Sequence, residues 1–132
     1  MGEKCMKRVQ NYLDEANAVV PRVTTSEAIA IHAKGQAVFI DVRDSNSLRQ
    51  TGTIAGAHHV PRGMIELSAD PESEYYKPFF EKNAQICVFC GAGLMAAMAG
   101  KTLIEMGYEN IINVGGMQAW KDAGGPVDPL NS

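Results

Sequence analysis

The sequence predicts an α/β fold with a mainly parallel central sheet and helices on both faces. Two apolar runs, residues 37–42 and 86–89, are continuous rather than alternating, as expected of strands covered on both sides. Each ends in polar or glycine-rich punctuation, and segments of helical periodicity lie between the strand-like runs. Strands therefore alternate with helices, the pattern of a parallel sheet joined by crossovers. At 132 residues and 45% hydrophobic content, the chain suffices for one domain that buries about two-thirds of its unfolded surface without disulfide or metal staples.

Val9, Tyr12, Leu13, Ala16 and Val20 recur at helical spacing and predict an amphipathic helix ending before Pro21. Such a stripe suits a partner surface or packing on the chain's own domain; the second is adopted, with residues 1–20 as a helical extension packed on the domain. Thr24-x-x-Glu27 is a capping box that opens a short helix through Ala28, Ile31 and His32, stopped at Gly35. After the strand at 37–42, residues 52–57 form a turn and 57–60 a short strand ended by Pro61. Residues 68–83 read as a loop leading into a short helix, with Tyr75, Tyr76, Phe79 and Phe80 entering the core. Beyond the strand at 86–89, Met95, Met98, Ala99, Leu103 and Met106 recur at helical spacing up to Gly107. A strand at 110–114 and a helix at 117–123 complete a domain over residues 21–126, leaving 127–132 as a tail.

The chemistry concentrates at Cys90. It lies between a strand and a helix in a loop of small residues, where unpaired N–H groups and the positive end of the helix dipole converge. Thiolates are stabilised and nucleophilic in such places, whereas cysteines in mid-strand are inert small hydrophobes. Cys87-x-x-Cys90 formally matches a redox motif. However, three strand steps of about 3.3 Å separate the Cα atoms by about 10 Å, past the roughly 7 Å reach of a disulfide, and the side chains leave opposite faces. Cys87 is therefore expected to be buried and structural. Asp41 and Arg43 end the first strand, at the edge where open α/β sheets bind ligands. They are candidates for anion contact or loop support, expected on opposite faces of the strand. His58 and His59 are adjacent, and strand neighbours face opposite sides, so no shared metal ion is expected.

A net charge of -3 with interspersed signs argues against nucleic acid or an anionic membrane as partner. Three cysteines are an odd number, no apolar run follows the charges at the start, and no stretch reaches membrane-spanning length. A reducing cytoplasmic compartment is thus expected. Met6 stands where a myristoylation signal needs Ser or Thr after Gly2.

The stretch Val88-Phe89-Cys90-Gly91-Ala92-Gly93-Leu94-Met95-Ala96 resembles the active-site loop of rhodanese-like sulfurtransferases, C-x-x-G-x-[R/K]-[S/A] between an apolar strand and a helix. Ile40-Asp41-Val42-Arg43-Asp44 and Gly52-Thr53-Ile54-Ala55-Gly56-Ala57 are similar to the family's D-V-R-[DE] and G-H-I-P-G-A elements. Val114-Gly115-Gly116-Met117-Gln118-Ala119-Trp120 is similar to its G-G-x-x-A-W. These motifs fall in the family's order within residues 37–124. Thr53 and Ala55 replace the common His and Pro, and Met95 replaces the usual Arg or Lys.

The resemblance implies a single rhodanese-like domain in which Cys90 takes sulfane sulfur from thiosulfate or a persulfide. The sulfur then passes from a cysteine persulfide to a thiol, cyanide or a protein acceptor, with no metal or organic cofactor. The N–H groups of Gly91, Ala92, Gly93, Leu94, Met95 and Ala96 would surround that persulfide. Lacking a cation at position 95, the chain is expected to use thiosulfate poorly, and a non-catalytic binding or sulfur-carrier module is the alternative. Phosphatase and arsenate reductase relatives of the fold use a longer loop ending in an arginine, which the segment from Cys90 to Met95 does not match.

Overall fold

A computed structural model of the chain describes residues 6–129; Cys5 and positions 130–132 lie outside them. Helices α1 (Val9–Val19) and α2 (Thr25–Lys34) precede strand β1 (Val38–Asp41). Then come α3 (Ser45–Thr51), β2 (Thr53–Ile54), β3 (His58–His59), α4 (Ile65–Ala69), β4 (Gln85–Cys90), α5 (Leu94–Glu105), β5 (Asn110–Gly116), α6 (Met117–Asp122) and β6 (Val127–Asp128). The central sheet runs β3-β1-β4-β5 with every pairing parallel, and β2 pairs with β6 as a small antiparallel ribbon.

Successive strand residues feed two cores. Ile40, Ile86, Val88 and Cys90 join one cluster with Val20, Ala96, Ala99 and Leu103. Phe39, Cys87 and Phe89 join the other with Ala28, Met117 and Trp120. Because α1, α4 and α5 lie on the first side and α2 and α6 on the second, both sheet faces are dry, which is why the strands read as unbroken apolar runs.

The helices show which local signals suffice. In α2 the Thr24 hydroxyl accepts the Glu27 N–H at 3.1 Å, the Glu27 carboxylate accepts the Thr24 N–H at 2.9 Å, and Gly35 ends the helix in the left-handed region. In α1, Leu13 and Ala16 are buried, and Val20 just beyond its end packs so close to Gly100 of α5 that an added Cβ there would meet it at 3.0 Å. Val9 and Tyr12, counted above in the same stripe, are exposed.

Three expectations need correction. No helix occurs between residues 70 and 84, where the sequence suggested one. Asp70 Oδ1 accepts the Glu72 N–H, Ser73 Oγ accepts the Tyr75 N–H, and Pro78 restricts Lys77, so side-chain turns replace the helix. Phe80 is nevertheless buried, whereas Tyr75 is exposed. Helix α3 and the segment of 3₁₀ turn (Arg62–Met64) and α4 were not anticipated. Finally, Val127 and Asp128, assigned to the tail, pair with β2, and the Asp128 carboxylate accepts the Gly56 N–H at 2.8 Å. Among the described residues no helix is long and apolar enough to cross a membrane.

Candidate active site

Cys90 ends β4, and α5 begins four residues later at Leu94. The intervening turn reverses through Gly93 at φ +94°, a conformation L side chains rarely adopt. Cys90 is only 3% exposed, and its Sγ accepts N–H groups from Gly93 at 3.1 Å and Ala96 at 3.4 Å. Those are two of the six loop amides named from sequence. The N–H groups of Gly91, Ala92, Leu94 and Met95 make no hydrogen bond to the sulfur.

The glycine pair of β5 seats this loop. The pairing of β4 with β5 shifts register after Val88, so that Phe89 faces Gly115 and Cys90 faces Gly116. At Gly116 an added Cβ would run into the Gly91 carbonyl, with the Gly91 carbonyl carbon at 2.7 Å and Ala92 Cα at 2.9 Å. The close approach of two backbones explains why this motif needs glycine.

Beside Cys90 opens a cleft of about 320 Å³, walled by Gly91, Ala92, Leu94 and Met95 on one side and Arg43, Asp44 and Ser47 on the other. Met95 is 38% exposed at its rim; the core face of α5 is instead Ala96, Ala99, Gly100 and Leu103. Met95 is therefore not the helix's first core residue. Asp44 caps α3 by accepting the Ser47 N–H at 2.8 Å, and that hydrogen bonding holds its carboxyl below the usual aspartate value. The cleft thus carries a fixed negative charge.

Arg43 and Asp41 do not diverge to opposite faces. Residues two apart on a strand share a face, and here they pair directly, with Arg43 Nη2 to Asp41 Oδ2 at 2.7 Å and both side chains buried. Asp41 also accepts the Arg43 backbone N–H at 3.0 Å and the Thr53 hydroxyl at 2.7 Å. Thr53, a departure from the family motif, thereby satisfies the carboxylate. Four of the five guanidinium N–H groups are engaged, one from Nε with Asp41, one from Nη1 with Thr51, and two from Nη2 with Asp41 and the Gly52 carbonyl. One Nη1 hydrogen remains for anything in the cleft.

The other candidates fall away from the thiol. Cys87 faces the opposite core, where burial pushes its thiol up to about 12. His58 stacks on Phe79 with centroids 3.9 Å apart, while His59 Nε2–H donates to the Arg43 carbonyl at 2.6 Å. His32 donates to the Ala55 carbonyl at 2.7 Å and packs edge-on against Phe39 and Trp120.

Two residues outside the sequence motifs touch the loop. Asn113, buried in β5, donates from Nδ2 to the Gly93 carbonyl at 2.9 Å. Arg22, just before α2, reaches the Ala92 carbonyl at 3.4 Å and lies over Gly93. A polar residue interrupting Ile111-Ile112-Asn113-Val114 was a visible signal; nothing local marked Arg22.

The chain is similar to several known proteins in sequence and fold. A Bacillus subtilis protein named "Putative sulfur carrier protein YrkF" is 30% identical over 62% of this chain, which spans 40% of that protein. Thiosulfate sulfurtransferase GlpE of Vibrio cholerae is 24% identical over 80% of this chain and 92% of its own length. A Rhodopseudomonas palustris protein of unknown function, called a possible tyrosine phosphatase, matches in structure with a TM-score of 0.90 and 37% identity over 97% of this chain and 99% of its own. Human single-domain sulfurtransferase TSTD1 shares the fold, with a TM-score of 0.68 and 24% identity over 78% of this chain and 96% of its own. The rhodanese-like domain model matches residues 24–123, a span that holds the Cys90 loop, the Asp41–Arg43 brace and the glycine pair in register, and the chain belongs to the rhodanese-like domain family.

Proposed function

We propose that the protein is a sulfurtransferase that relays sulfane sulfur through Cys90. The Cys90 thiolate attacks the outer sulfur of the donor, forming a Cys90–S–S⁻ persulfide and expelling sulfite from thiosulfate or a thiolate from an organic persulfide. A thiolate or cyanide acceptor then attacks the terminal sulfur, leaving as a persulfide or thiocyanate and restoring the Cys90 thiolate. The observation that carries this reading is the Cys90 sulfur held by the Gly93 and Ala96 amides at the floor of an open cleft. Donor and acceptor are small molecules or protein thiols of a reducing cytoplasmic compartment, and the reaction calls on no metal or cofactor.

Charge favours an organic persulfide over thiosulfate. The cleft presents the Asp44 carboxylate, the Arg43 cation is committed to Asp41, and the rim at Leu94 and Met95 is apolar. A dianion meets little there to replace its hydration, whereas the apolar body of an organic donor can lie on the rim. The same features support a second reading, a sulfur carrier that accepts sulfur without turning over free thiosulfate. A phosphatase reading, prompted by the Rhodopseudomonas neighbour, has less support. Phosphoryl transfer calls for a cation gripping the anion's oxygens, and residue 95 at the end of the loop is a methionine.

Intact mass spectrometry tests the nucleophile. After treatment with glutathione persulfide, the wild type should gain a cyanide-labile adduct of about 32 Da, one sulfur atom, and Cys90→Ser should gain none. An adduct that survives the substitution moves the site elsewhere.

A further inference from the structure

We propose that Arg22 and Asn113 are positioning residues of the Cys90 loop, gripping its carbonyls from outside so that its N–H groups turn toward the sulfur. The catalytic consequence rests on the sulfurtransferase reading, but the geometry does not. Every described peptide bond is trans, so the C=O and N–H of one unit point in opposite directions. Arg22 Nη2 donates to the Ala92 carbonyl at 3.4 Å, and the N–H of that same unit, from Gly93, is the one 3.1 Å from Cys90 Sγ. Asn113 Nδ2 holds the Gly93 carbonyl at 2.9 Å, a bond shared with the Ala97 N–H at 3.1 Å. The N–H of that unit, from Leu94, is thereby aimed out of the amino end of α5, the side on which the transferred sulfur would sit.

Both grips are built into the sheet. Asn113 is 1% exposed, and its Oδ1 accepts the Gly115 N–H at 2.9 Å, which fixes the amide so that Nδ2 faces the loop. Its backbone donates to the Pro21 carbonyl at 2.9 Å and accepts the Val23 N–H at 3.2 Å. Residues 21–23 therefore run parallel to β5 like one more strand, and that pairing delivers the Arg22 side chain to the loop. The guanidinium lies so close that a Cβ added to Gly93 would meet it at 2.7 Å, and one added to Gly115 would meet it at 3.1 Å. Gly93 is required by its positive φ, and any side chain there would also displace the Arg22 guanidinium. Position 22 lies outside the family-matched region, so the segment joining α1 to α2 brings to the loop a cation that position 95 lacks.

The test uses the full chain carrying Cys5→Ser, with two rates measured near neutral pH. One is alkylation of Cys90 by neutral iodoacetamide; the other is single-turnover loading from glutathione persulfide. Arg22→Met keeps the apolar stem of an exposed side chain and removes donor and charge. It should slow both rates about 5- to 10-fold, the effect of one misdirected hydrogen bond, with little change in Tm, and Arg22→Lys should recover most of the loss. Asn113→Asp keeps the acceptor for Gly115 but turns an acceptor toward the Gly93 carbonyl, and should slow alkylation at least as much. Wild-type alkylation in Arg22→Met would overturn the proposal even if loading falls, because Arg22 would then be a contact for the anionic donor. Equal slowing in Arg22→Lys would overturn it too, since donor and charge are retained. Should the wild type load sulfur from no donor, the sulfurtransferase reading fails, while alkylation still decides the positioning.

Discussion

Met95 sits at the rim of the cleft, close enough to meet a donor before Cys90 does and without charge to attract one. Met95→Arg should therefore raise kcat/KM for thiosulfate by about 10- to 100-fold, the effect of one charge-assisted contact, and change that for glutathione persulfide far less. Steady-state kinetics with both donors decide it; equal gains would mean that residue 95 alters the sulfur rather than donor capture. Cys90 was legible because its signals are local, an apolar run closed by glycines and then a change of period. The amides holding it were legible only as a set, since which N–H groups reach the sulfur depends on how the turn at Gly93 is held. Arg22 and Asn113 hold it from 70 and 20 residues away, and sequence spacing carries no record of such contacts.

At the scale of elements, the meeting of β4 and β5 does more than pair two strands. The register shift at Val88 and the absence of a side chain at Gly116 let the end of one strand support the turn that leaves the other. Gly116→Ala should push the Gly91 carbonyl aside, cut Cys90 loading by at least about 10-fold, and lower stability by roughly 1–3 kcal/mol, as overpacking does. Gly63→Ala is the control, because nothing lies within 4 Å of its would-be Cβ, its φ is not positive and it lies outside the cleft, so it should load nearly as the wild type does. Normal loading by Gly116→Ala would remove the strand end from the account of the site. Elements were legible from sequence where a stripe or a cap repeats. Helix α3 buries only Leu48 and so shows no stripe, although Asp44 with Ser47 three residues on marks its start. Tyr76, Phe79 and Phe80 have helical spacing but sit among prolines and turn-forming side chains, and the local chemistry prevails.

Across the whole molecule, the parallel sheet brings residues far apart in sequence to one edge, the carboxyl ends of β1, β4 and β5, and the Asp41–Arg43 pair ties that edge to the peripheral ribbon. Asp41 accepts from Arg43 and Thr53, while Arg43 donates to Thr51 and Gly52, so the pair holds the entry to β2 against the end of β1. Buried ions are costly to strand. Asp41→Asn keeps the shape but turns an amide N–H toward a guanidinium left without its counter-charge, and should cost about 3–5 kcal/mol of stability in urea unfolding. Arg43→Met on its own strands the opposite charge and should cost a similar amount. The double variant removes both charges and should be clearly more stable than the sum of the two losses predicts, as coupled neighbours require. Additive losses would mean that the residues act separately, through Thr53 and Thr51. A cost below about 1 kcal/mol for Asp41→Asn would mean that the site's edge is held by the sheet alone.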